Sequence, residues 1–124
     1  FINKLKVVEI EFDKTNFNFL EIVDKIRSFG KKNMIPGSKV YNMQLIAEEI
    51  CLNVLFPTIE DKLLLTIEYS QENQTPIINI RYKGKKIDFE SRLDEIQKKF
   101  VDVSVQSFTE GIDSEFNILK IEVK

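Results

Sequence analysis

The stretch KVYNMQLIAEEICLNVLFP, residues 39–57, decides the fold that this sequence predicts. Its apolar residues recur every three or four positions, which is the spacing of an amphipathic helix that buries one face. These residues are Val40, Met43, Ile46, Ala47, Ile50 and Val54. Proline cannot continue a helix interior, so Pro57 ends the pattern. We therefore predict a helix over residues 39–56 that packs on an antiparallel sheet and buries Ile46 and Ile50.

The segments before this helix predict one strand and one further helix. In KLKVVEIEF (4–12), apolar and charged residues alternate as they do in a half-buried strand. In NFNFLEIVDKIRSFGKKNMI (16–35), apolar residues recur at helical spacing, and we expect the helix to end near Gly30. Serine is a residue type that caps helix N-termini, so we expect Ser38 to begin the helix over residues 39–56.

The segments after this helix predict a hairpin, a short helix and two more strands. The strand-like runs 62–69 and 75–82 are joined by a polar loop. A helix is predicted over 91–100, and alternating strands over 101–108 and 116–123. The order β, α, α, β, β, α, β, β is typical of α+β folds. We predict a two-layer α/β sandwich in which helices cover one face of a mostly antiparallel, mixed sheet.

The composition predicts one globular domain, residues 1–124, and excludes several kinds of site. The net charge of −2 and the scattered basic residues argue against nucleic-acid binding. The sequence has no histidine, which excludes a histidine-based catalytic triad and histidine metal ligands. Its single cysteine, Cys51, fits the reducing cytoplasm, and no apolar run is long enough for a membrane span. Because the chain begins with Phe1, we expect it to be part of a longer protein.

A polar pair interrupts the predicted core helix. Glu49 and Asn53 lie four residues apart, so they share one helix face. Such a pair is often a pair of solvated or hydrogen-bonded neighbours. Alternatively, the carboxylate acts as a base while the amide oxygen binds a hard cation such as Mg²⁺, which prefers oxygen ligands.

A second motif gives the pair a context. The sequence AEEICLNVL is followed by two predicted strands and then by GKKIDF. This arrangement resembles the histidine kinase-like (GHKL) ATPase domain of histidine kinases and gyrases, and it is most similar to the anti-sigma-factor serine kinases. The family's helix motif E-x-x-x-N matches Glu49 and Asn53. Its D-x-G motif, followed by an apolar residue and Asp-Phe, matches Tyr82, Gly84, Ile87, Asp88 and Phe89.

The resemblance implies a nucleotide site with assigned roles. Glu49 would be the general base and Asn53 the ligand of Mg²⁺. Gly84, Asp88 and Tyr82 would lie at the bound ATP. The resemblance covers nearly the whole chain and implies a sheet of four or five strands.

Two departures from the family pattern point to a degenerate nucleotide site. The family reads adenine with an aspartate, and Tyr82 takes its position here. The family also wraps the phosphates with a glycine-rich lid, whereas this sequence has four glycines in all and no G-x-G segment.

Three functions remain open at this stage. The first is a regulatory domain with weakened or lost ATP binding, which binds a sigma factor, a sigma-factor antagonist, another part of its parent protein or a second copy of itself. The second is an active ATP- and Mg²⁺-dependent protein serine kinase of the anti-sigma-factor type, and the third is a structural cytosolic appendage. For the first function we expect a partner surface near the N-terminal strand and first helix, with Phe1, Ile2 and Phe17 exposed.

We interpret the lysine-rich segment KGKK (83–86) as a solvated hairpin end, Asp88 as a helix cap, and Cys51 as a buried apolar residue.

Overall fold

A five-stranded sheet forms one layer of the protein, whose computed structural model describes residues 4–124. The strands are β1 (Lys6–Asp13), β2 (Lys62–Tyr69), β3 (Ile77–Lys83), β4 (Val105–Asp113) and β5 (Phe116–Val123). Their order in the sheet is β1-β2-β3-β5-β4, and all four neighbouring pairs are antiparallel. The predicted two-layer α+β class is confirmed. The sheet of the described residues is antiparallel throughout instead of mixed.

Helices form the second layer and cover one face of the sheet. They are α1 (Phe19–Lys32), α2 (Gly37–Ile46) and α3 (Glu95–Ser104). At its end α2 continues into a π-helix, Ala47–Leu55, which we call the π segment. The helix predicted over residues 39–56 is therefore confirmed, and Ile46 and Ile50 are buried as expected. None of the described helices is long and apolar enough to cross a membrane.

Gly30 does not end α1, contrary to the sequence-based expectation. The helix passes through it and continues to Lys32, where the backbone N–H of Asn33 bonds back to the carbonyl of Phe29. A Cβ atom at Gly30 would lie 2.4 Å from a methyl group of Val40. The glycine therefore allows α2 to pack closely against α1, so its role is in the contact between the two helices and not in ending α1.

Two expected helix caps are also placed differently. Ser38 lies inside the first turn of α2, because the carbonyl of Pro36 already accepts the first helical bonds, from Lys39 and Val40. The helix expected over 91–100 is a 3₁₀ turn at Glu90–Arg92, followed by α3. The cap of α3 is Asp94, which exchanges hydrogen bonds with Gln97 in a capping box, and not Asp88.

The strand boundaries differ from the predicted ones by a few residues at most sites. The largest difference is at β4, which we expected over residues 101–108. Here α3 continues to Ser104, and the strand extends to Asp113 before a tight turn into β5. The segment 101–104 alternates in sequence, but its buried Ser104 bonds back to the carbonyl of Phe100 as a helical residue.

The sheet has one covered face and one open face. Along β2 the residues alternate between fully buried and half-buried, with Leu63, Leu65, Ile67 and Tyr69 directed at the helices. The opposite face carries many polar and charged side chains, with ion pairs such as Lys62–Glu11 between neighbouring strands and Lys83–Glu115 between β3 and the turn that joins β4 to β5. Such a polar face needs no second layer of helices.

Candidate functional site

Glu49 and Asn53, the polar pair on the predicted core helix, are hydrogen-bonded to each other in the structure. The Nδ2 atom of Asn53 donates a hydrogen bond to Oε1 of Glu49 at 3.3 Å. Glu49 is half-buried and Asn53 is exposed. The two side chains are thus together and reachable from solvent, as both of the readings made from the sequence require.

The pair lies on the π segment, whose other side supplies core residues. Ala47, Ile50, Cys51, Val54 and Leu55 are buried beneath it. Burial raises the pKa of the Cys51 thiol far above its ordinary value, so this cysteine stays a neutral apolar group as the sequence predicted. π-helical turns are rare and often occur at functional sites. Here the wide turn coincides with the E-x-x-x-N motif.

Tyr82 is built into the protein interior. Its side chain is 3% exposed, and its hydroxyl oxygen accepts a hydrogen bond from the backbone N–H of Ile87 at 3.0 Å. Burial raises the pKa of Tyr82, and the bond from Ile87 opposes this effect. The phenol is therefore neutral, and one buried amide depends on its oxygen.

The turn after Tyr82 is held by a second buried side chain. Asn117 on β5 donates from Nδ2 to the carbonyl of Gly84 at 2.8 Å and to that of Tyr82 at 3.4 Å. Gly84 has a backbone φ of +98°, a conformation that favours glycine. Asp88 is exposed, while its neighbours Ile87 and Phe89 are buried. Sequence reasoning missed Asn117, because its role depends on a strand pairing 35 residues away.

A cavity opens on the other side of this turn. It has a volume of about 770 Å³ and lies where the loop 58–61 and the turn 83–87 rise above the open face of the sheet. We call it the lysine cleft. Of the predicted site residues, Gly84 lines it, whereas Glu49, Asn53, Tyr82 and Asp88 do not. Its lining residues are Thr58, Ile59, Glu60, Asp61, Lys62, Leu64, Lys83, Gly84, Lys85, Lys86, Ile87, Arg92 and Phe116.

The residues present fit ATP and Mg²⁺ poorly. At the position that would read adenine, a buried phenol already fills the space and uses its oxygen within the protein. Residues 84–89 form a short connection that leads directly into the 3₁₀ turn at Glu90–Arg92, which leaves no length for a phosphate-wrapping lid. No cluster of three or more acidic or cysteine side chains suited to a metal ion occurs within residues 4–124.

Comparison with known proteins gives this chain no family. Neither protein-family models nor curated proteins match its sequence. The resemblance to the histidine kinase-like ATPases therefore rests on the residues of the helix motif and of the turn after β3, and the functions it implies are proposals.

Proposed function

We propose that this chain is a regulatory domain of the anti-sigma-factor kinase type that binds a protein and has weakened or lost ATP binding. The observation that carries the proposal is the state of Tyr82. Its ring is buried, and its hydroxyl oxygen accepts a hydrogen bond from Ile87. Both observations support the proposal that protein atoms occupy the position at which the family binds adenine. A lost hydrogen bond to a charged partner weakens binding by about tenfold or more.

The distribution of exposed apolar residues supports the protein-binding part. Leu5, just before β1, is 58% exposed, and Val7 on β1 is 50% exposed. Leu20, at the start of α1, is 73% exposed. In the sheet that residues 4–124 form, β1 is also an edge strand, so one side of its backbone is available for pairing. Exposed apolar groups beside a free strand edge favour a protein partner on this side of the domain.

Of the residues expected at the partner surface, only Phe17 lies within the described part of the chain; Phe1 and Ile2 lie outside it. Phe17 is 37% exposed and packs on Phe12 and Phe56, with ring centroids 5.7 and 4.8 Å away. It therefore belongs mainly to an aromatic cluster at the margin of the core. Leu5, Val7 and Leu20 are better candidates for direct contact with a partner.

The nucleotide part is tested by calorimetric titration of the chain with Mg²⁺-ATP. We expect no binding in the micromolar range. Low-micromolar binding that Asn53→Ala weakens only when Mg²⁺ is present would instead favour the active kinase. Loss of phosphoryl transfer in Glu49→Gln, with affinity retained, would complete that alternative.

The partner part is tested with purified sigma factors and sigma-factor antagonists immobilised for interferometry, and with a concentration series in the ultracentrifuge for self-association. We expect Val7→Lys and Leu20→Lys each to weaken the complex or the dimer by about tenfold, because each puts a charge into an apolar contact. Ile112→Lys is the matched control, since Ile112 is 75% exposed but lies on β4, at the opposite edge of the sheet. If all three variants bind alike, the interface is elsewhere.

A further inference from the structure

The lysine cleft has the size of a small-molecule site. Its volume of about 770 Å³ falls within the range of about 300–1,000 Å³ that is typical of such sites. It lies at one end of the open face, where the cross-strand neighbours Lys83 and Phe116 form part of its floor. Tyr82 and Asn117 alternate with these two residues along the same strands and point into the core. The cleft is thus separate from the place where the family would bind adenine.

The charge of the cleft is opposite in sign to that of the chain. Five basic side chains and two acidic ones line it, whereas the chain as a whole has a net charge of −2. The basic residues are Lys62, Lys83, Lys85, Lys86 and Arg92, and the acidic ones are Glu60 and Asp61. A concentration of cations around a concave surface attracts anions.

The cations can meet a ligand, although three of the five are ion-paired in the structure. Lys62, Lys83 and Lys86 pair with carboxylates that lie outside the cleft lining, at 3.8, 3.0 and 3.7 Å. These pairs are solvent-exposed, and exposed pairs are weak enough to exchange for a better partner. Within residues 4–124, Lys85 and Arg92 form no salt bridge.

The floor of the cleft is apolar. Ile59 and Ile87 are buried beneath it, and Leu64 and Phe116 are half-buried. The ammonium group of Lys83 lies 5.5 Å from the centroid of the Phe116 ring, so charge and aromatic surface are adjacent. This combination suits a ligand with an apolar or aromatic body and an anionic group, and not an anion alone.

The turn that forms one wall is braced from the core side. The hydroxyl of Tyr82 holds the N–H of Ile87, and the amide of Asn117 holds the carbonyl of Gly84. These bonds fix both ends of the segment that carries Lys85 and Lys86. A wall held in place before binding loses little entropy when a ligand binds.

We propose that the lysine cleft binds a small anionic molecule in which a phosphate group is carried on an apolar or aromatic body. The phosphate meets Lys85, Lys86 and Arg92, and the body covers Ile59, Leu64 and Phe116. The site does not depend on the proposed regulatory function. ATP itself has this chemistry, so any ATP bound here is independent of Asn53 and of Mg²⁺.

The test uses three probes that separate charge from body: 4-methylumbelliferyl phosphate, the neutral 4-methylumbelliferyl glucoside and inorganic phosphate. Each is titrated into the isotope-labelled chain, and amide shifts are followed by NMR. We expect the phosphate ester to shift the amides of residues 58–62 and 83–87 and to bind about tenfold more tightly than either other probe. We also expect its affinity to fall with added salt, since the contacts are exposed charges.

Matched variants locate the charge. The double variant Lys85→Gln with Arg92→Gln should weaken binding of the phosphate ester by about tenfold. Lys31→Gln with Lys99→Gln removes the same charge from exposed sites on α1 and α3 and should leave binding unchanged. Equal loss in the two double variants, equal affinity for ester and glucoside, or equal affinity for ester and inorganic phosphate would each overturn the proposal. Unperturbed amides at residues 83–87 with all three probes would do so as well.

Discussion

Replacing Tyr82 by phenylalanine isolates one hydrogen bond in the braced turn. The ring remains and fills the same space, so the change removes only the oxygen that accepts the N–H of Ile87 at 3.0 Å. Ile87 is 5% exposed, so water does not readily replace this acceptor. Leaving a buried donor unpaired costs about 1–3 kcal/mol, which is the loss of unfolding free energy that we expect.

The assay is urea denaturation followed by circular dichroism, with Tyr41→Phe as the control. Tyr41 is 57% exposed, and surface changes of this kind usually alter stability by less than about 0.5 kcal/mol. At neutral pH the midpoint for Tyr82→Phe should fall while the slope stays unchanged. Equal midpoints for the two variants would refute the assignment of a structural role to the Tyr82 hydroxyl.

Alkaline pH provides a second readout on the same variant. Burial raises the pKa of Tyr82 above its ordinary value of 10.0, and the unfolded chain has the ordinary value. The neutral phenol therefore contributes its full stability below pH 10.0, and this contribution is lost as the pH rises through the folded-state pKa. The stability gap between the wild type and Tyr82→Phe should shrink over that range, and a constant gap would contradict the burial argument.

Three further changes test the core, the turn and an acid-sensitive group. Ile50→Ala should cost about 2–5 kcal/mol in urea denaturation because Ile50 is fully buried, whereas Ile96→Ala at a 65% exposed site should cost little; similar losses would contradict the packing. Gly84→Ala should lower the unfolding free energy by about 1–3 kcal/mol because its φ is +98°, and an unchanged midpoint would contradict that backbone conformation. The pKa of Asp13 is lowered, chiefly by the backbone N–H of Thr15, so its carboxylate stabilises the fold above pH 3.8 and the effect is lost as pH falls through the folded-state pKa. Asp13→Asn should remove this part of the acid destabilisation in thermal melts, and identical acid profiles would count against it.

The sequence predicted those features that depend on local periodicity. The apolar spacing around Ile50 placed it in the core, and the alternation of apolar and charged residues over 4–12 predicted the strand β1. Local rules failed where a distant segment decides the outcome. Gly30 looks like a helix end in sequence, yet its small size serves the packing of Val40 from the next helix.

In the candidate site, too, local spacing predicted some features, and contacts between distant segments determine the others. The pairing of Glu49 with Asn53 follows from their spacing on a helix, and the structure forms it. The lysine cleft combines a loop, a turn and two strands that are far apart in sequence, so KGKK alone indicated only a solvated end. Phe116 contributes to the floor because β5 pairs with β3, and no local pattern around Phe116 records that pairing.

The π segment connects the Glu49–Asn53 pair to the lysine cleft. At its end, the N–H of Phe56 bonds to the carbonyl of Cys51, five residues back, and the hydroxyl of Thr58 bonds to the carbonyl of Val54. Thr58 and Ile59 then form part of the cleft wall. A wider helical turn changes the direction in which the following residues leave the axis, so the length of this segment sets the position of the wall. Deleting one residue among 47–55 and thereby restoring α-helical winding would turn the wall about the helix axis. Where the deleted residue is one of 50–52, the spacing of Glu49 and Asn53 also falls from four residues to three, so that a single deletion would alter both places at once.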